Sequence, residues 1–136
     1  RQMCIRDRVP VIFIENEFLR NFIEVNIKEF KKFGYNFLLL DTYSKDVGNI
    51  FDICSEGYLK ILLNQSLLNN LSIGLAGKLN LSNIPQLAEL QPKIVGFRSA
   101  VCVDENRKKE LSISKLKKLY YSIISVKRPA MHAAGA

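Results

Sequence analysis

Leu38-Leu39-Leu40-Asp41-Thr42-Tyr43-Ser44-Lys45-Asp46 delivers an aspartate at the end of an apolar run and a lysine four residues later. An unbroken apolar run predicts a strand buried on both faces, as in a parallel sheet covered by helices, where alternation is lost because neither face meets water. Ligands of such sheets sit outside the carboxyl ends of the strands. Asp41 and Lys45 are therefore the first candidates for chemistry.

Working outward, the β-branched run Val9 to Ile14 predicts a preceding strand, with Pro10 tolerable near its start. From Asn16 the period changes. Phe18, Phe22, Val25, Phe30 and Phe33 recur at helical spacing, Lys28, Lys31 and Lys32 fall on other faces or in the last turn, and Gly34 stops the helix. Asn36 to Asp41 is the second strand. Ile50, Phe51 and Ile53 then tuck down ahead of a helix capped by Ser55, with Tyr58, Leu59, Leu62, Leu63 and Leu67 as its buried stripe and Asn69-Asn70 as its end. Leu71 to Ala76 predicts a third strand, closed by Gly77. Ser82 is the expected cap of a short helix through Leu87 and Leu90, with Pro85 in the first turn and Gln91-Pro92 as the break. Ile94 to Phe97 predicts a fourth strand ending at Arg98. A charged loop from Asp104 to Glu110 leads to a last helix, capped by Ser112, through Leu116, Leu119, Tyr120 and Ile123.

Four successive βα units make the fold class α/β with a parallel sheet. Two architectures remain, a small open sheet and half of a (β/α)8 barrel. The ends of the chain bear on that choice. Arg1-Gln2-Met3-Cys4-Ile5-Arg6-Asp7-Arg8 reads like the translation of a sequencing-library adapter, so residues 1–8 are expected to be an artefact; the alternative is a short basic leader without a signal peptide's apolar core. An adapter there implies a frame entered inside a gene, and half a barrel is what such a cut would leave. Residues 9–126 then form the half-barrel, and residues 127–136 a disordered or non-native tail.

Composition narrows the class of function. The 136 residues are 48% hydrophobic and 24% charged, which is ordinary for a globular chain. No apolar run approaches the ~18 residues of a membrane span, so a cytoplasmic protein without a membrane partner is expected. The net charge of +7 falls to +5 without the three arginines and one aspartate of residues 1–8. Lys28, Lys31, Lys32, Lys108, Lys109, Lys115, Lys117 and Lys118 lack interleaved aromatic platforms and read as solvated surface rather than a nucleic-acid site. The sole histidine, His132, lies in the tail, which leaves a histidine-based metal site or dyad without support. With Cys4 set aside, Cys54 and Cys102 lack CxxC spacing and are expected to be reduced thiols near the core.

Asp41 and Lys45 at a strand end suit carbonyl chemistry: a lysine of lowered pKa forms a Schiff base or acts as a base, and an aspartate holds the ammonium or shuttles protons. The plainer reading is an aspartate capping its own turn and a solvated lysine. Gly74-Leu75-Ala76-Gly77 and Gly96-Phe97-Arg98-Ser99-Ala100 put small residues at the last two strand ends, where backbone N–H groups can approach a phosphate and Arg98 can grip it bidentately. Glycines that merely relieve crowding are the plainer reading there. Gly77-Lys78 is not a P-loop, having neither the preceding glycine at that spacing nor the following Ser or Thr.

Leu40-Asp41-Thr42-Tyr43-Ser44-Lys45-Asp46, Phe51-Asp52, Leu75-Ala76-Gly77, Ile84-Pro85 and the run Ile94 to Cys102 occur in this order, and from about Phe37 to Leu119 the chain resembles the second half of the (5-formylfuran-3-yl)methyl phosphate synthase family. The resemblance implies a TIM barrel of methanofuran biosynthesis, here its strands five to eight, joining two molecules of glyceraldehyde 3-phosphate. It implies Asp41 and Lys45 as active-site residues and Gly77, Gly96, Arg98 and Ser99 beside a phosphate, with no metal or organic cofactor. The family's Schiff-base lysine, in an Asp-x-Lys motif on an early strand, and its proton-accepting lysine lie in the first half. Neither is present in this chain. Departures are Ser99 where the family usually has glycine, Lys78-Leu79 after Leu-Ala-Gly, and the lysine-rich Asp104 to Glu110 loop.

The expected partners are thus a phosphorylated small-molecule substrate and the missing amino-terminal half-barrel. Exposed edges make a homo-oligomer possible, and the chain alone is expected to be inactive. Two rival readings are another phosphate-binding barrel lyase or isomerase, and a small non-catalytic α/β module that binds a phosphorylated ligand.

Overall fold

Parallel strands in chain order need a crossover between each pair, and the sequence supplies a helical segment for each one. A computed structural model describes residues 8–44, 46 and 48–135, with the side chains of the last helix described as far as Val126. It divides into two compact units, Arg1–Gly77 with Pro92–Gly96, and Lys78–Gln91 with Phe97–Ala136.

The first unit holds β1 (Val11–Phe13), α1 (Glu17–Lys32), β2 (Phe37–Asp41), α2 (Ile50–Ile53), α3 (Glu56–Leu68), β3 (Ser72–Leu75) and β4 (Ile94–Val95). Its sheet is all parallel in the order β1-β2-β3-β4, with Phe13 paired to Asp41, Leu40 to Leu75 and Leu75 to Val95. Strand order therefore follows chain order without reversal. Crossovers of one hand then put consecutive helices on the same face, and the side chains agree: Ile14 and Leu40 meet Arg20 and Ile23 of α1 and Tyr58 and Leu62 of α3.

The run Leu38 to Leu40 is not buried equally on both sides. Leu38 and Leu40 are fully buried, whereas Phe37, Leu39 and Asp41, which alternate with them, are half-buried. Gly74 of β3 lies among the latter, where a Cβ would come 2.9 Å from the tip of Phe37 and 3.2 Å from Leu39. The apolar run reflects one face under helices and a second apolar face that the first unit leaves partly open.

α1 begins where Asn16 accepts the Leu19 N–H at 3.2 Å, with Glu17 in its first turn and Lys31 and Lys32 in its last, the signs the helix dipole favours. It ends in a Schellman motif: Gly34 N–H bonds Lys31 O and Tyr35 N–H bonds Phe30 O, with Gly34 at φ +91°. The aromatic row is not its buried face. Ile23 and Ile27 are buried, while Phe18 is 73% and Val25 81% exposed, and Phe22 and Phe33 are exposed too. The rings instead contact one another, with Phe18 and Phe22 stacked at 6.4 Å and Phe22 edge-on to Phe30 at 6.1 Å. Both rows have helical spacing, and the branched row is the one turned to the sheet.

Ser55 caps α3 as expected, accepting the Tyr58 N–H at 3.1 Å. Leu59 and Leu62 are buried, but Ser66, four residues on from Leu62, completes the buried row, and Leu67, turned by about 100°, is exposed. Asn49 and Asp52 open α2 with a capping box that the sequence pattern did not predict.

The second unit contains a 3-10 turn (Leu81–Asn83), α4 (Ile84–Leu90), 3-10 turns over Ser99–Val101 and Val103–Glu105, and α5 (Ile113–Gly135). The cap ahead of α4 is Asn80 rather than Ser82: Asn80 accepts the Ser82 N–H at 2.9 Å, while Asn83 accepts the Asn80 N–H at 3.0 Å. Pro85 lies in the first turn of α4 as expected. The core of this unit gathers Ile84, Val101 and Leu119, with Phe97, Ile123 and Val126 against them. Leu116 and Tyr120, on the same helix, are exposed. The fourth strand is shorter than Ile94 to Phe97, because after Gly96 N–H bonds Leu75 O at 2.9 Å the chain leaves the sheet. Residues Asp104 to Glu110 are exposed, with Lys109 on Asp104 at 2.6 Å. α5 continues through most of 127–136.

Candidate functional site

The carboxyl ends of the four strands converge along one rim of the first unit, and that rim carries the candidates Asp41, Gly77 and Gly96. Asp41 closes β2 on the half-open face. Its carbonyl accepts the Ile14 N–H at 3.1 Å, and its Oδ1 accepts the Thr42 N–H at 2.7 Å. The carboxylate thus turns its own strand end, which is the plainer of its two sequence-level roles. Lys45 lies outside the described residues.

The loop that leads to residue 45 is held by a residue that motif reading passed over. Glu15, just beyond β1, takes the Tyr43 N–H with both oxygens, at 2.8 and 2.9 Å, and the Ser44 N–H with Oε1 at 2.8 Å. Phe13 of β1 meets the Tyr43 ring edge-on at 5.4 Å. A carboxylate after the first strand was the available signal, but its partners lie 28 and 29 residues away and carry no side-chain signature.

Gly77 is buried at the end of the β3 segment with φ +110°, and a Cβ there would come 2.8 Å from Thr42 Cγ2 and 3.2 Å from the Thr42 backbone nitrogen. Its carbonyl accepts the Ile50 N–H at 3.1 Å, tying β3 to the start of α2. Gly96 donates its own N–H to Leu75, and a Cβ on it would lie 3.3 Å from Ala76 Cβ. Both glycines let neighbouring strand ends close together.

Arg98 and Ser99 belong to the second unit. The Arg98 side chain is exposed. Its carbonyl accepts from Val101 N–H at 3.3 Å and from the Cys102 thiol at 3.1 Å, so the backbone beneath the guanidinium is fixed by a buried cysteine. Ser99 opens the 3-10 turn and accepts the Cys102 N–H at 3.1 Å.

Away from the rim, Cys54 and Cys102 are buried free thiols. Burial pushes the Cys54 thiol up from its ordinary value, with Arg20 opposing and Glu24 reinforcing the shift. Burial likewise raises the Tyr58 phenol, and Glu24 beside it adds to the rise. Neither group is an activated nucleophile. Among the described residues no cluster of His, Cys, Asp and Glu could hold a metal, and no helix is long and apolar enough to cross a membrane.

A protein-family model described as 4-HFC-P synthase matches residues 4–120. The chain is 35% identical over 71 residues to the (5-formylfuran-3-yl)methyl phosphate synthase of Archaeoglobus fulgidus, covering 52% of this chain and 30% of that protein. It is 34% identical over 74 residues to the enzyme of the same name from Methanococcus maripaludis strain C7, covering 54% of this chain and 31% of the other. The chain thus spans less than a third of the length of these relatives in the matched region. A match over most of the chain, together with relatives of one name, agrees with the resemblance carried by the Asp41 to Asp46 and Ile94 to Cys102 motifs, and the chain belongs to the 4-HFC-P synthase family.

Proposed function

We propose that this chain is the carboxyl-terminal half, strands five to eight, of a barrel enzyme that condenses two molecules of glyceraldehyde 3-phosphate to (5-formylfuran-3-yl)methyl phosphate in methanofuran biosynthesis. The observation that carries the proposal is a parallel sheet in unreversed order whose strand ends bear Asp41 and the glycine turns, within a chain matched by the family over residues 4–120. An open sheet of the doubly wound kind binds its ligand where strand order reverses, and this order has no reversal. The half-open apolar face of β2 and β3 corresponds to the inner wall of a barrel, which the remaining strands would complete.

The reaction is of the aldol type followed by dehydration and ring closure, and atom balance requires the loss of one phosphate and two waters. A lysine imine, formed on the part of the enzyme outside this chain, would acidify the carbon that attacks the second aldehyde. Asp41 and Lys45 would assist the proton transfers at the attacking carbon and at the carbonyl and hydroxyl oxygens of the substrate. The Gly77 and Gly96 turns would let a substrate phosphate come close to the backbone at the strand ends of the first unit. The enzyme is expected to be cytoplasmic and to use neither metal nor organic cofactor.

The test incubates the full-length enzyme with glyceraldehyde 3-phosphate and follows phosphate release and the absorbance of the furan aldehyde. Turnover by the full-length enzyme, a loss of at least about a hundredfold in Asp41→Asn, and none by this chain alone are expected. Absence of both products from the full-length enzyme removes the substrate assignment, and turnover by this chain alone removes the half-barrel.

A further inference from the structure

Four consecutive backbone positions at the end of β2 are each fixed by a named hydrogen bond. The Asp41 carbonyl is held by Ile14 N–H, Thr42 N–H by the Asp41 carboxylate, and Tyr43 and Ser44 N–H by Glu15. The first two bonds belong to the sheet and to a local turn. The last two depend on one side chain from the turn that follows β1. Two successive N–H groups form a concavity suited to an anion; here the carboxylate of Glu15 fills it, so this turn is not free for a substrate phosphate.

We infer that Glu15 is a positioning residue of the site: its carboxylate clamps the backbone of Tyr43 and Ser44 and thereby fixes the loop that leaves Asp41 and leads into residue 45. This inference rests on the proposed function for its catalytic consequence, but the clamp itself is a property of the loop. Charge-assisted bonds to N–H groups are among the stronger hydrogen bonds. Glu15 itself is only partly buried, so its removal exposes the two amides to water instead of leaving a buried vacancy. The loop then samples several conformations, and a misplacement on the order of 1 Å at a reacting group costs about a hundredfold in rate.

The experiment uses the full-length enzyme with Glu15→Ala and Glu15→Gln, reading kcat and KM together with amide exchange at Tyr43 and Ser44. In Glu15→Ala, kcat is expected to fall by roughly ten- to a hundredfold with KM within about twofold, and both amides to lose protection. Glu15→Gln, which keeps an acceptor oxygen but not the charge, should fall between this variant and the wild type. A merely structural residue would lower the melting temperature without splitting kcat from KM. Unchanged amide protection in Glu15→Ala, or lost protection with unchanged kcat, overturns the inference. Should the wild type fail to turn over glyceraldehyde 3-phosphate, the proposed function fails, while amide exchange still decides whether Glu15 sets the loop.

Discussion

At Gly77 two separate obstacles face any side chain. The backbone sits at φ +110°, and a Cβ would press on the Thr42 backbone nitrogen at 3.2 Å, which has no rotamer by which to yield. Gly77→Ala is therefore expected to destabilise the chain by about 2–3 kcal/mol, read as a shift of the urea midpoint at unchanged m-value. Ser66 should behave in the opposite way. Its hydroxyl is fully buried in α3 without a hydrogen-bond partner among the described residues. Ser66→Ala removes the desolvated group and improves helix propensity, and a gain of about 1 kcal/mol in thermal unfolding is expected. Glycine at position 77 was visible in the sequence as a strand-end signal. Its crowding against Thr42 was not, because that contact joins segments 35 residues apart in the chain.

At the scale of elements, α1 and α3 pack together over the sheet, and Arg20, Glu24, Cys54 and Tyr58 meet at their contact. The Cys54 thiol and Tyr58 phenol hold their protons more tightly in the fold than in the unfolded chain, where they ionise near 9.0 and 10.0. Their contribution is fully present below the unfolded values and is lost as pH rises above them. Thermal stability is therefore expected to be insensitive to these groups up to about pH 9 and to decline above it. The decline should be shallower in Cys54→Ala and Tyr58→Phe. A melting series from pH 7 to 11 that gives parallel curves for wild type and variants would show that ionisation at this contact does not limit the fold. The helix boundaries around this contact were legible, since Asn16, Gly34 and Ser55 are local signals acting on backbone groups a few residues away. The buried faces were only partly legible. In α1 the Phe18-Phe22-Val25 row and the Ile23-Ile27 row both satisfy helical spacing, and period alone does not say which row meets the sheet.

At the scale of the whole molecule, the exposed large side chains include Phe18, Phe22, Val25 and Phe33 on α1 and Val11 and Ile94 on the outer strands of the sheet. Contiguous apolar surface and unpaired strand edges favour association. Sedimentation of this chain at micromolar concentration is expected to show concentration-dependent self-association, reduced in a Phe18→Lys, Val25→Lys double variant. A single monomeric species across a hundredfold concentration range would contradict this expectation.

Local patterns in the sequence determined the order of βα units, the helix ends at Gly34 and Ser55, the strand-end position of Asp41 and the family, because each depends on residues within a few positions of one another or on motifs in sequence order. The tertiary structure alone decided that the isoleucine row of α1 faces the sheet, that Gly77 closes on Thr42, and that Glu15 holds the loop after Asp41. Those outcomes depend on which surfaces parallel pairing brings together. A strand run such as Leu38 to Leu40 states that it must be buried, and only its neighbours in space settle against what.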